Sequence, residues 1–296
     1  MYLPNTASGG TNANLMSRME VIAHRGASAY APEHTMASFE LAVRQDAGCI
    51  EHDLQVTRDD VLVCLHDRTL DRTTNVREVF PSRGRIERQG AEPGRRWFVH
   101  DFSLAEIRQL DAGSWFGPDF AGARVPTFDE LLAWAKHRVA VLTELKDPDF
   151  YKRRGVDVLM LCEAALGRHG LTKGPADAAV TVQSFDEPTV RRAAGLFDGR
   201  VPLALLVEPV DAALLRDREH VAAIAGFASG IGPGKAIVFS HPEIVDWAHE
   251  AGLRVTPWTF RAATIGPFDS VAAEMTHYLV ELGVDAVITD HPDSVR

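Results

Sequence analysis

Short apolar runs separated by helical patterns predict an α/β chain folded as a (β/α)8 TIM barrel. Three observations carry that expectation. There are nine extended runs, and the third, Val61–His66, follows the second across the turn Thr57–Asp60. It reads as a hairpin arm outside the ring, which leaves eight. A length of 296 residues suits one barrel domain. No glycine-rich dinucleotide fingerprint follows the first run, which counts against the competing open doubly wound sheet.

In chain order, residues 1–18 are small and polar and read as a disordered lead, and residues 19–296 as a single domain. Val21–His24 is the first strand. Thr35–Ala47 carries Phe39, Ala42 and Val43 at helical spacing, and Cys49–Val56 is the second strand. Residues 68–127 are irregular. Asn75–Val99 is rich in Arg, Glu and Gly, Phe102–Leu110 is helical in pattern, and Asp111–Arg124 is aromatic and glycine-rich. So long a connection inside a compact domain marks a functional segment, and it reads as an insertion over the active-site face. Val139–Leu145, Val180–Phe185, Val201–Val207, Ala236–Phe239, Arg254–Trp258 and Ala286–Thr289 are the remaining strands. The helices between them are Val156–His169, Glu187–Leu196 with Pro188 in its first turn, Pro242–Ala251 and Val271–Leu282.

Composition excludes several classes. Hydrophobic content of 46% is ample for a buried core, and a formal charge of −10 argues against nucleic acid or an anionic membrane as partner. Cys49, Cys64 and Cys162 make neither a disulfide framework nor a zinc motif and read as buried thiols in a reducing compartment. Residues 1–18 lack a basic stretch followed by an apolar one, and no apolar run is long enough to span a bilayer. The expectation is a cytoplasmic protein without a transmembrane segment; the sequence leaves its oligomeric state open.

In a barrel the C-terminal strand ends converge on one mouth. The first strand ends at His24-Arg25, and the hairpin arm ends at His66-Asp67. Glu51 and Asp53 alternate on the second strand and so face one side, as do Glu144 and Lys146 on the next. Each has an ordinary structural use alone. Together they do not, because like charges at inward positions are costly to bury unless a cation pairs them. Glu51, Asp53 and Glu144 form an all-oxygen set suited to Mg2+ or Ca2+ rather than zinc. Arg25 and Lys146 suit a phosphate, and His24 and His66 offer a general acid and a general base near neutral pH. The combination describes metal-assisted phosphodiester hydrolysis.

These residues fall in an ordered series of motifs: His24-Arg25-Gly26, Pro32-Glu33-His34-Thr35, Glu51-x-Asp53, His66-Asp67 followed by Leu70-Asp71-Arg72-Thr73-Thr74, Glu144-x-Lys146, Gln183-Ser184-Phe185, Trp258-Thr259 and Thr289-Asp290-His291-Pro292. The series resembles the glycerophosphodiester phosphodiesterase family from about Val21 to Pro292, in particular its longer bacterial, periplasmic-type members. Many members have Asn where His34 stands. The resemblance implies a TIM barrel that hydrolyses small glycerophosphodiesters to glycerol 3-phosphate and an alcohol, through a cyclic phosphate. It implies His24 and His66 as the acid–base pair, and Glu51, Asp53 and Glu144 as ligands of one divalent metal ion. Arg25 and Lys146 would contact phosphate, Gln183 and Trp258 would line the glycerol pocket, and Glu33 would orient the His24-Arg25 loop. Two other readings compete. A phospholipase D-like or lysophospholipase D-like enzyme would need an apolar rim, for which Trp97-Phe98, Trp115-Phe116 and Phe120 are the candidates. A non-catalytic phosphate-binding module fits poorly with two intact histidines.

Overall fold

Strand β1 (Val21–His24) lies between the second strand and the last one, so the two ends of the domain meet at its first element. The computed structural model describes residues 21–87, 94–172 and 180–295. The expected lead over residues 1–18 lies outside them. β2 (Cys49–Val56) pairs parallel with β1 and carries the antiparallel arm β3 (Leu62–Cys64), as the hairpin reading expects. β4 (Arg85–Glu87) and β5 (Gly94–Arg96) form a separate small hairpin. The ring continues through β6 (Ala140–Leu145), β7 (Val180–Ser184), β8 (Leu203–Val207), β9 (Gly230–Pro233), β10 (Arg254–Val255) and β11 (Val287–Thr289), every neighbour parallel. It closes between the last two strands, where Ile288 N donates to Pro257 O at 3.1 Å and Phe260 N to Ile288 O at 2.9 Å. The eight-stranded barrel of the sequence reading is therefore the fold.

Period two explains how the lumen is layered. Ile22, Cys49, Leu142 and Ile288 pack into one small apolar cluster inside the ring. Two residues further along each strand stand His24, Glu51, Glu144 and Asp290, so polar groups sit above an apolar floor. The opposite strand faces, with Ala23, Ile50, Val141 and Val182, join the large core under the helices. The helices start where side chains satisfy free amides: Thr35 caps Met36–Arg44, Asp157 caps Val158–Arg168 and Asp186 caps Glu187–Phe197.

Two expectations are corrected, and one helix is added. Ala236–Phe239 is not a strand; it lies in the helix Lys235–Ser240, with Ile237 and Val238 buried and Phe239 46% exposed. The strand at this place is Gly230–Pro233. A Cβ on Gly232 would come within 2.5 Å of Leu206 Cδ2, so close strand packing selects residues that carry no strand signal. Phe128–Ala135 is a helix that the sequence reading left unassigned, although Phe128, Leu131, Leu132 and Ala135 stand at helical spacing behind the capping box of Thr127 with Glu130. Val271–Leu282 is α-helical only to Thr276 and continues as a π-helical stretch over His277–Glu281.

The insertion makes its own core, in which Leu70, Val76, Trp97, Phe102, Ile107 and Leu110 pack on Val63 and Leu65 of the hairpin arm. Among the described residues no helix is long and apolar enough to cross a membrane.

Candidate active site

Backbone register decides which side chains meet. His24 lies opposite Glu51, Asp53 opposite Glu144, and Glu144 opposite Gln183. These residues, with Arg25, His66, Lys146 and Trp258, line one cavity of about 250 Å³ at the C-terminal strand ends. Of the ten site residues the sequence singles out, only Glu33 does not line it; Glu33 lies behind the cavity, against Arg25.

Each histidine is oriented by a carboxylate. His24 Nδ1 is 2.6 Å from Asp290 Oδ1, and His66 Nδ1 is 2.6 Å from Asp67 Oδ1. That leaves the Nε2 atom of each ring for other partners. Burial, with Arg25 adding to it, depresses the His24 pKa to about 4 against the pull of Asp290. Burial also lowers the His66 pKa, against the raising effect of Asp67.

The cations are held by carboxylates. Lys146 Nζ is 2.9 Å from Glu144 Oε1 and 3.6 Å from Asp53 Oδ1. Arg25 Nη1 donates to Glu33 Oε1 at 2.9 Å, and Arg25 Nε stands 3.3 Å from Asp53 Oδ2. The backbone helps: Arg25 N donates to Glu51 Oε2 at 3.1 Å, which needs the turn made by Arg25 and Gly26, both at positive φ. A Cβ on Gly26 would meet the Ser38 backbone at 2.7 Å, so only glycine fits there. His34, also at positive φ, reaches under the site, where its Nε2 accepts from Asp53 N at 3.0 Å.

Glu51, Asp53 and Glu144 each offer an oxygen, all within 4.8 Å of one another, and all three side chains are buried. Burial first, then Asp53 and Glu144, push the Glu51 carboxyl well above the usual carboxylate range. Burial and Asp53 push Glu144 up to about 8, against Lys146. Burial would also raise Asp53, but Lys146, His34 and Arg25 outweigh it and hold that carboxyl well below its ordinary value. Asp53 Oδ2 is buried and, although Arg25 Nε and His34 Nε2 stand 3.3 and 3.2 Å away, it has no well-aligned hydrogen bond. A crowded all-oxygen set with an unsatisfied oxygen and two reluctant carboxylates fits a hard divalent cation.

Sequence reading gave no role to several residues found here. Phe185, Glu208 and Arg261 line the cavity, and Phe185 meets Trp258 edge to face at 5.4 Å. Asp67 was legible as the neighbour of His66. Asp290 was legible as a strand-end residue of the motif series, but its pairing with His24 was not, because it depends on how the ring closes. None of the lining residues comes from 68–127. Trp97 and Phe98 are buried, Trp115 is 42% exposed and meets Phe116 edge to face, as Phe116 meets Phe120, and none of these five residues lines the cavity.

A barrel that gathers oriented histidines, paired cations and buried carboxylates at its strand ends has the layout of an enzyme, and comparison with known proteins gives its class. The model of the glycerophosphoryl diester phosphodiesterase family matches residues 24–294, and the chain belongs to that family. It is 33% identical to a glycerophosphodiester phosphodiesterase of Bacillus subtilis (strain 168), over 99% of this chain and 91% of that one. A glycerophosphodiester phosphodiesterase structure from Agrobacterium tumefaciens is 27% identical with a TM-score of 0.67, covering 93% of this chain and 98% of that one. A phosphodiesterase structure from Oleispira antarctica shares the fold, at 24% identity and a TM-score of 0.71, over 95% of this chain and 97% of that one.

The carboxylate cluster makes a pH prediction. Glu144 has a folded pKa of about 8 against an ordinary 4.5, so the folded state binds the extra proton. Its contribution to stability is complete below pH 4.5 and is lost as pH rises through 8. His24 acts oppositely, its contribution growing with pH from about 4 to 6.5. Between pH 6.5 and 8 the Glu144 effect stands clear of it. In chelator, the melting temperature of the wild type should fall across that interval, and that of Glu144→Gln should fall less, the remainder coming from Glu51, which burial also raises. Saturating Mg2+ should cancel the wild-type fall.

Proposed function

We propose that this chain hydrolyses small glycerophosphodiesters to glycerol 3-phosphate and an alcohol, using one divalent cation, Mg2+ or Ca2+, and acid–base catalysis by His24 and His66. The observation that carries the reading is the pair of histidines. Each has Nδ1 tied to a carboxylate at 2.6 Å, and both line the cavity that holds the three carboxylates. Two imidazoles on one cavity are what a displacement at phosphorus needs, one to take a proton and one to give it.

Glu51, Asp53 and Glu144 would hold the cation, which when bound would help neutralise charge on the phosphoryl group. Arg25 and Lys146 would draw the diester oxygens in, since each keeps its charge through paired carboxylates. Trp258 and Gln183 would receive the glycerol moiety, the indole being fixed by its Nε1–H donating to Gly232 O at 2.7 Å. Glu33 would keep Arg25 in place.

No serine or cysteine among the lining residues stands ready as a covalent nucleophile. The attacking oxygen would be the glycerol 2-hydroxyl, already held beside phosphorus, and proximity makes such an intramolecular attack favourable by several kcal/mol. One histidine would take the 2-hydroxyl proton as the O–P bond forms, and the other would protonate the departing alcohol oxygen as its P–O bond breaks. Water would then open the cyclic phosphate with the two roles exchanged.

The direct test is release of glycerol 3-phosphate from a panel of glycerophosphodiesters, with Mg2+ or with chelator. Activity should require the cation. His66→Ala should lower kcat about 100-fold or more while cation binding by calorimetry stays unchanged; loss of binding with activity would make His66 a ligand instead. A second measurement addresses the route. A substrate analogue lacking the glycerol 2-hydroxyl should bind competitively and turn over far more slowly than the parent diester. Equal turnover of the two would replace the cyclic route by attack of water.

A further inference from the structure

Arg72 belongs to the insertion, lies outside the cavity and has no part in the reaction described so far. Its side chain is 42% exposed, yet all three of its polar groups are spent on carboxylates that serve the site. Nε donates to Asp67 Oδ2 at 2.6 Å, Nη1 to Glu33 Oε2 at 2.8 Å and Nη2 to Glu33 Oε1 at 2.7 Å. On their far sides these carboxylates hold the working groups. Asp67 Oδ1 meets His66 Nδ1 at 2.6 Å, and Glu33 Oε1 accepts from Arg25 Nη1 at 2.9 Å. One guanidinium therefore stands between the orienting partner of His66 and the orienting partner of Arg25.

The base of this residue is fixed by the insertion. Leu70 N donates to Trp97 O at 2.8 Å, and Thr74 Oγ1 donates to Leu70 O at 2.6 Å. Asp71, with a side chain only 4% exposed, accepts from Arg96 Nη1 at 2.9 Å. The turn that presents Arg72 is thus pinned to the strand Gly94–Arg96 and the residue after it.

We infer that Arg72 is a positioning residue, and that through it the insertion braces the active site rather than covering it. Without Arg72, Asp67 and Glu33 become two carboxylates with no shared cation between them, free to swing and to carry His66 and Arg25 with them. A lysine cannot replace it, because an ammonium is a point charge and lacks the planar fork that spans two carboxylates. The inference rests on the reading of His66 as an acid–base group.

The test uses the full chain with Mg2+ and glycerophosphocholine. R72A should lower kcat by about 10-fold to 100-fold, below the loss expected for an acid–base group itself. Added guanidinium ion should restore part of the rate in R72A and none in the wild type. R72K should remain impaired. In a D67N background, R72A should add less than about threefold, because residues in one hydrogen-bonded network do not contribute independently. Wild-type kcat in R72A overturns the inference. So does a loss that guanidinium leaves untouched and that multiplies with D67N. If R72A does not fold, R72K carries the test, and full activity in it overturns the inference. H66A is the control. Full activity in H66A removes the reading of His66, whereas an inactive H66A beside an unimpaired R72A removes only the brace.

Discussion

The register of β2 between β1 and β6 is the constraint on which the site depends. His24 against Glu51 and Asp53 against Glu144 are backbone pairings, set before any side chain chooses a partner. A slip of one residue would turn Glu51 and Asp53 out of the lumen and bring His52 in. Held in register, the strands force three carboxylates into one buried cluster. Burial and mutual repulsion raise two of the three, and Arg25 and Lys146 supply only part of the compensation. The protein keeps in its lumen an arrangement that opposes folding and invites a cation, as sites built for function commonly do.

The ends of the domain and the insertion then orient what the register has gathered. Because β11 lies beside β1, Asp290 can hold His24 across 266 residues of sequence separation. His66 is held by its own neighbour, Asp67, and by the Arg72 turn behind it. The two histidines share one local design, a carboxylate at Nδ1, reached by unrelated routes through the chain. The wall at Trp258 is simpler, an indole and a phenyl ring meeting edge to face, with Gln183 also lining the cavity.

Much of this was legible in the sequence. Alternation fixed Glu51 with Asp53 and Glu144 with Lys146, since a strand has only two faces. Seven of the eight ring strands carried apolar runs and could be located. The eighth could not, because Gly230–Pro233 is selected by close approach to Leu206 and Arg254 rather than by hydrophobicity, while the apolar run Ala236–Phe239 lies in a helix that buries Ile237 and Val238. Asp290 as the partner of His24 and Arg72 as the partner of Glu33 depend on contacts between distant segments, which no local pattern encodes. Residues 68–127 hid their order because their core is small and local, built from scattered side chains with short elements between them.

The central claim is that Glu51, Asp53 and Glu144 together hold one divalent cation. Crystals grown with Mn2+ and measured at its absorption edge test it most directly. The account predicts a single strong anomalous peak within coordinating distance, about 2.2 Å, of an oxygen from each of the three carboxylates. A lumen without such a peak at saturating Mn2+, or a peak ligated by His24 or His66 in place of these carboxylates, would contradict it.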